Sequence, residues 1–563
     1  MKRSSLISWS LFLGVCLLVV TPLSALFYGA FRSHSPGSKK GQFTFDNLVS
    51  VYGGLFDGGW TQSATLNSIS LAIPVMFCAC FVGVFLAWAI ARTDIPGQKF
   101  FEMAFLTPML YSPLVGVIGW AVLADPRSGL INVLWTAMTG LADPVINIYS
   151  YFGIVWVMIF YFVPYAFVLN IGTFRSLDPS LEEAAAISGA NFRRRMTLIT
   201  LPIMLGSIAS SALFIFILAL EQFAIPGFLG SHIQFDTLAY KIYRMTNAYP
   251  VNLPGAAASG TLLLLLSAVG LYYYRILTRH SERFITITAR GYKPARMNLG
   301  LMRWPLAAIM FVIFLVGIAL PLSAVMLRAL MPVRTTGLEL KSLNFDNFYS
   351  LFQAQDILLS LQNSLFLAAA TATICALFGL VLGYRIVRLK STPMTLADYL
   401  ISMPIGIPGT VFGIGMLWAY VSSPIYLTIW IILLAFITRY LVYGVRTLSS
   451  GLMQIDKALE EAATVAGASP FKSFMFVNLP LLKPVITSVW LLVFMIVMRE
   501  ISATVILSSV DSLTMPLLTW SYLLDGFYGV ASALAILQLL IVASIVALFK
   551  WAFGSDLHSK TVD

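Results

Sequence analysis

The chain has 563 residues, of which 59% are hydrophobic and only 10% charged, with a net charge of +11 and a mean hydropathy of +0.87. A soluble domain carries roughly 25% charged residues, so the composition excludes a soluble fold. The apolar runs are continuous rather than alternating, which excludes a membrane β-barrel and predicts transmembrane helices.

Runs long enough to span a bilayer lie near 9–31, 64–91, 103–124, 150–174, 202–226 and 255–277. Six more lie near 304–327, 361–387, 396–421, 425–445, 481–507 and 528–552. Twelve spans put both termini on one side. Most of the 35 Lys and Arg fall on that side, so the positive-inside rule predicts cytoplasmic termini. That rule accounts for the positive charge without nucleic acid. Lys2-Arg3 and the run after it resemble a secretory signal, but the length favours a first span. Cys16, Cys78, Cys80 and Cys375 all lie in apolar runs, so neither disulfide nor metal site is expected from them.

The second half repeats the first. Thr21-Pro22-Leu23-Ser24-Ala25 returns as Leu320-Pro321-Leu322-Ser323-Ala324, Phe45-Asp46-Asn47 as Phe345-Asp346-Asn347, and Asn67-Ser68 as Asn363-Ser364. Pro108 and Pro113 in the third run match Pro404 and Pro408 in the ninth; helix kinks are expected there. The expected organisation is a six-span domain 1–274, a basic linker 275–303 and a second six-span domain 304–563. Parallel repeats of this kind are related by an axis along the membrane normal.

The strongest repeat is polar. Leu177 to Pro202 aligns without a gap on Ile455 to Pro480, and both segments lie on the predicted cytoplasmic side. Asp178 and Asp456 stand as N-caps. Glu182, Glu183, Glu460 and Glu461 suit the positive end of the following helix. Ala184 and Ala462 belong to small-residue faces, and Gly189 and Gly467 stop the helices. Each loop (178–202 and 456–480) therefore predicts a helix, a Gly turn and a second helix, with Leu-Pro opening the next span. Small side chains with an acidic edge suit a groove in a partner protein. A lipid-resting helix wants bulky apolar residues opposite Lys and Arg, a pattern that the Ala-rich faces flanked by Glu fit poorly.

Glu221 and Glu500 occupy nearly equivalent places in spans five and eleven, with Arg499 adjoining and Arg439 in span ten. Ionisable groups at membrane depth are costly unless paired or wet. Two readings stand: Glu221 and Glu500 line a pathway favouring a cationic or metal-bearing substrate, or Glu500 pairs with Arg499 or Arg439 and only fixes helix packing. Phosphate-loop spacing is absent from the sequence; Lys39-Lys40 follows a single Gly and does not make one.

Glu-Glu-Ala-Ala, then Gly-Ala, then Leu-Pro resembles the signature of permease subunits of bacterial ABC importers, twice and in register. The resemblance covers nearly the whole chain. The double permease, Ala289-Arg290-Gly291-Tyr292-Lys293-Pro294, and Arg499-Glu500-Ile501-Ser502-Ala503 resemble the fused iron(III) branch, where Leu usually stands in place of Ile501. The resemblance implies an all-α, type I importer-like fold in the bacterial inner membrane. It implies coupling helices at the two loops, docking two copies of an ATPase that carry ATP and Mg, and no cofactor on this chain. It implies a periplasmic or lipid-anchored binding protein that delivers ferric iron, with thiamine, polyamine or phosphonate as alternatives. The rival functions are an ion-driven secondary transporter and a non-transporting scaffold or receptor.

Overall fold

The computed structural model describes residues 2–36, 41–281, 297–332 and 342–553. The linker motif around Gly291 and Pro294, and Lys39-Lys40, lie outside the described residues. The first half comprises α1 (Lys2–Ala30), α2 (Trp60–Arg92), α3 (Gln98–Leu106), α4 (Pro113–Ala124), a short outer helix α5 (Leu130–Thr139), α6 (Tyr151–Ser176), α7 (Pro179–Ile187), α8 (Phe192–Glu221) and α9 (Leu253–Ser281). The second comprises α10 (Gly300–Leu330), α11 (Gln355–Leu389), α12 (Thr392–Ser402), α13 (Gly409–Tyr420), α14 (Ile429–Gln454), α15 (Lys457–Val465), α16 (Pro470–Met498) and α17 (Tyr528–Phe553).

Among the described residues, ten helices are long and apolar enough to cross a membrane, and two bent helix pairs raise the number to 12. The pairs α3/α4 and α12/α13 bend by 101° and 115°. Contacts at their ends show that both pairs cross. Arg92, ending α2, bonds Glu182, just beyond the end of α6, so α2 and α6 end on one face. Tyr151, starting α6, donates to the Ser70 carbonyl in α2 (2.6 Å), and Ile148 N–H donates to Ala124 O (3.1 Å) at the end of α4. The chain must therefore traverse the bilayer between Arg92 and Tyr151. The second half repeats this: Arg388 meets Glu460 at the loop face, and Phe366 meets Trp430 at the opposite end. The fold is all-α with twelve crossings.

The prolines break these two spans rather than merely kinking them. Proline lacks an N–H and pushes its predecessor out of the helical region. Tyr111 and Ser112 before Pro113, and Ile407 before Pro408, are extended. Three Leu-Pro pairs are accommodated differently. Leu201-Pro202, Leu320-Pro321 and Leu479-Pro480 each follow a π turn, at Met196–Thr200, Leu315–Ala319 and Phe474–Asn478. The wider turn makes room for the ring, and the helix continues. The second helix of each repeated loop thus runs unbroken into its span, instead of a new helix opening at Leu-Pro. Spans five and eleven stop at Glu221 and Met498, short of the expected 226 and 507.

The first helix of each half packs on the other half. α1 lies against α12 and α13, and α10 against α4. The repeated prolines make a close approach to backbone: a Cβ on Gly119 of α4 would overlap Pro321, and one on Gly415 of α13 would overlap Pro22. Glycine is required at both positions by contact with backbone.

Candidate functional site: two clamped loops and a central polar cavity

The repeated loops fold alike. Asp178 accepts from Ser180 N–H (2.9 Å) and Asp456 from Ala458 N–H (3.0 Å), capping α7 and α15. Gly189 and Gly467 take φ of 81° and 85°, the left-handed conformation that ends each helix. Asn191 and Ser469 cap the second helices through Arg194 and Lys472 N–H.

The paired glutamates separate. Glu182 turns inward, accepting from Arg92 (2.6 Å) and from the Thr200 hydroxyl (2.7 Å), while Arg92 also donates to Leu177 O (3.2 Å). Glu460 accepts from Arg388 (2.7 Å) and the Tyr384 hydroxyl (3.2 Å), and Arg388 donates to Ile455 O (2.9 Å). Each loop is therefore pinned to the second span of its half, α2 or α11, by one guanidinium holding both a carboxylate and a carbonyl. Glu183 and Glu461 are exposed, as are Leu181, Ala184, Leu459 and Ala462. Ile187 is 88% exposed and Val465, its equivalent, 90%. The sequence reading missed Arg92 and Arg388, which it counted only as loop-side charge. A signal existed: Ile90-Ala91-Arg92 and Ile386-Val387-Arg388 recur at the spacing that separates Asn67 from Asn363.

The membrane charges converge on one cavity of about 380 Å³ between the halves, lined by Glu221, Arg439, Arg499, Glu500 and the tyrosines 161, 165, 440 and 443. Glu221 of α8 pairs with Arg439 of α14 and accepts from Gly409 N–H (3.0 Å), the first residue of α13. Glu500 lies 3.8 Å from Arg439 and accepts from Tyr440 hydroxyl (2.6 Å) and Ala503 N–H (3.1 Å). Arg499 does not bond its neighbour Glu500. It reaches into the first half, donating to Met109 O (3.1 Å) and the Tyr165 hydroxyl. Both carboxylates face the cavity and both lie against Arg439; the pairing expected for Glu500 is present, and that of Glu221 was not anticipated. Two carboxylates against two guanidiniums leave the walls near neutral. Beyond the cavity, Phe223 and Tyr243 of the first half pack on Trp520 of the second, whose indole N–H donates to the Tyr243 hydroxyl (3.2 Å).

The sequence pattern of the binding-protein-dependent transport system inner membrane component family matches residues 61–283 and 375–553, more than half the chain. The chain belongs to that family. It is a multi-pass inner-membrane permease component of ABC import systems. Among similar curated proteins is the ferric transport system permease protein FbpB of Actinobacillus pleuropneumoniae, 26% identical over 98% of this chain and 78% of that one. The Fe(3+)-transport system permease protein FbpB 2 of Haemophilus influenzae is 24% identical over 86% and 88%. The putrescine transport system permease protein PotI of Escherichia coli K12 is 30% identical over 33% of this chain and 69% of that one. Among solved structures, a bacterial ABC transporter for import of the acidic polysaccharide alginate matches 45% of this chain and 96% of its own, with 14% identity and a TM-score of 0.37.

Proposed function

We propose that this chain is the permease of an ABC importer for ferric iron, worked by two copies of an ATPase and supplied by a periplasmic or lipid-anchored binding protein. The carrying observation is the matched pair of clamped helices, α7 and α15, on one face. That face carries most of the Lys and Arg and is the cytoplasmic one. Ser8, near the start of α1, bonds Arg385 near the end of α11, which supports a cytoplasmic start for the chain.

Each helix offers a Leu, a β-branched residue and an exposed Ala to a groove on an ATPase, with Glu183 or Glu461 at its edge. Asp178, Glu182 and Gly189, with Asp456, Glu460 and Gly467, set the shape of that handle rather than its contact surface. ATP and Mg reside on the ATPases, and this chain hydrolyses nothing. Nucleotide-driven closure draws the handles together, and the rigid passage from each loop into α8 or α16 carries the motion to the cavity. A ligand shifts such an equilibrium only by contacts that differ between the states.

The ferric assignment rests on the relatives and on the wall chemistry. Two carboxylates and four phenols offer hard oxygen donors, which suit a small, highly charged cation. Arg439 and Arg499 offset the carboxylates, so the walls pass the ion without trapping it. Uptake of radiolabelled ferric iron into proteoliposomes holding the chain, its ATPase and loaded binding protein tests the assignment. Uptake is expected to require ATP and to be lost in a folded, inserted Glu221→Gln/Glu500→Gln double variant. Undiminished uptake in that variant removes the pathway role of the carboxylates. Uptake driven by an ion gradient with no ATPase present removes the ABC reading altogether.

A further inference from the structure

The two breaks at membrane depth leave backbone groups that lipid cannot satisfy. The break between α12 and α13 exposes the Gly409 N–H, and Glu221 accepts it at 3.0 Å. The break between α3 and α4 exposes the Met109 carbonyl, and Arg499 donates to it at 3.1 Å. The geometry is crosswise. Glu221 ends α8, the span leaving the first loop, and both its side-chain partners, Gly409 and Arg439, belong to the second half. Arg499 directly follows α16, the span leaving the second loop, and both its side-chain partners, Met109 and Tyr165, belong to the first. Glu500, one residue on, bonds only within its own half. Gly409 is also enclosed, since a Cβ there would overlap Arg439 and approach Ser502 to 2.6 Å.

We propose that Glu221 and Arg499 are positioning residues, through which the span leaving each coupling loop holds the break in the other half's third span, so that the two gates move together. Neither needs to touch the substrate. Each is the far end of a rigid rod whose near end is the loop: α8 is continuous from Phe192 and α16 from Pro470. Motion of one loop therefore reaches the opposite half's break, and two loops moved at once move both. A charge-assisted hydrogen bond at low dielectric is short-ranged and strong, which suits a grip that holds or lets go. The role in coupling rests on the function proposed above; the crosswise grip does not.

Hydrogen–deuterium exchange on the full chain in nanodiscs reads the grip directly. Glu221→Ala should raise exchange at 407–412 about tenfold, the scale of one lost charged hydrogen bond, and leave 109–115 unchanged. Arg499→Ala should do the reverse. Where an alanine variant does not insert, Glu221→Gln and Arg499→Lys carry the same test with smaller shifts in the same crosswise pattern. In proteoliposomes with ATPase and loaded binding protein, each variant should hydrolyse ATP while uptake per ATP falls about tenfold, the same scale. Loosening of a variant's own half, equal loosening of both breaks or no change at either overturns the proposal. So does a parallel loss of hydrolysis and uptake, which a merely structural role would give. A crosswise exchange pattern in a chain that binds no ATPase counts against the proposed function and leaves the grip standing.

Discussion

The loop face and the membrane centre treat the two-fold repeat in opposite ways. At the loops the guanidinium clamps match: Arg92 and Arg388 each hold a glutamate and the carbonyl just ahead of the Asp cap, and only the glutamate's hydroxyl donor differs, Thr200 in one half and Tyr384 in the other. At the centre they diverge. α6 and α14 are each 26 residues long, and Tyr161 of the first stands where the second has Arg439. In the register of the loops, Glu221 stands where the second half has Arg499, and Gln222 where it has Glu500. Two like motors need two like handles, so symmetry is kept where force arrives. One substrate crosses one cavity, and nothing there requires the walls to match.

The sharpest way to break the likeness of the loops is to remove their clamps. Arg92→Ala strands Glu182 in a site where the guanidinium is 2% exposed, and a loss of about 3–5 kcal/mol is expected. Each glutamate keeps one hydroxyl donor, but Arg388 is 13% exposed, so Arg388→Ala should cost about half as much. Thermal unfolding of the purified chain in nanodiscs measures both. Equal losses would show that exposure does not separate the clamps. The Arg92→Leu/Glu182→Leu double variant should recover most of the stability, because no charge is left unpaired.

Those clamps mark where the sequence stopped being readable. Twelve spans, the repeat and the caps at Asp178 and Asp456 were legible, because each follows from local composition or from neighbours a few residues apart. Pro113 and Pro408 announced a disturbance, but its size depends on what the far half supplies at Met109 and Gly409. A lone arginine at a span's end satisfies the positive-inside rule, so only its recurrence as Arg388 marked Arg92, and nothing local tied it to Glu182, 90 residues on. The Glu221–Arg439 pair joins residues 218 apart in different halves; the sequence showed two costly charges without their relation. The π turns before each Leu-Pro were hidden for the opposite reason. Proline read as a helix boundary, and the backbone widened to keep the helix whole.

The exchanged first helices should respond alike. Gly119→Ala and Gly415→Ala each press a methyl into a proline of the other half's first helix. Overpacking of this kind costs about 1–3 kcal/mol. Matching drops in unfolding temperature are expected, since the two contacts are mirror equivalents; a twofold disparity would mean that one of the joints yields. At the handles, Ile187→Asp and Val465→Asp place a charge on exposed apolar surface and should leave the chain's own stability unchanged. Each should weaken ATPase binding about tenfold, as a desolvated charge in an interface does. Titration of the ATPase onto nanodisc-held chain checks this, and the two should be additive because they serve separate sites.

The smallest effects belong to Gly189 and Gly467, and they probe whether the handles are equal in shape as well as in bonding. Both residues have positive φ, and neither has an atom within 4 Å of a built Cβ. Alanine there meets no neighbour, so the only cost is the left-handed backbone, about 1–2 kcal/mol. That cost falls on the turn joining α7 or α15 to the helix behind it, not on any contact. The two variants should lose stability equally and shift ATPase affinity less than the aspartate substitutions do. An Asn at either position should recover part of the loss, since Asn tolerates this conformation. If Gly189→Ala were harmless while Gly467→Ala abolished binding, the two turns would not be doing the same work, and the equivalence of the handles would fail at its simplest point.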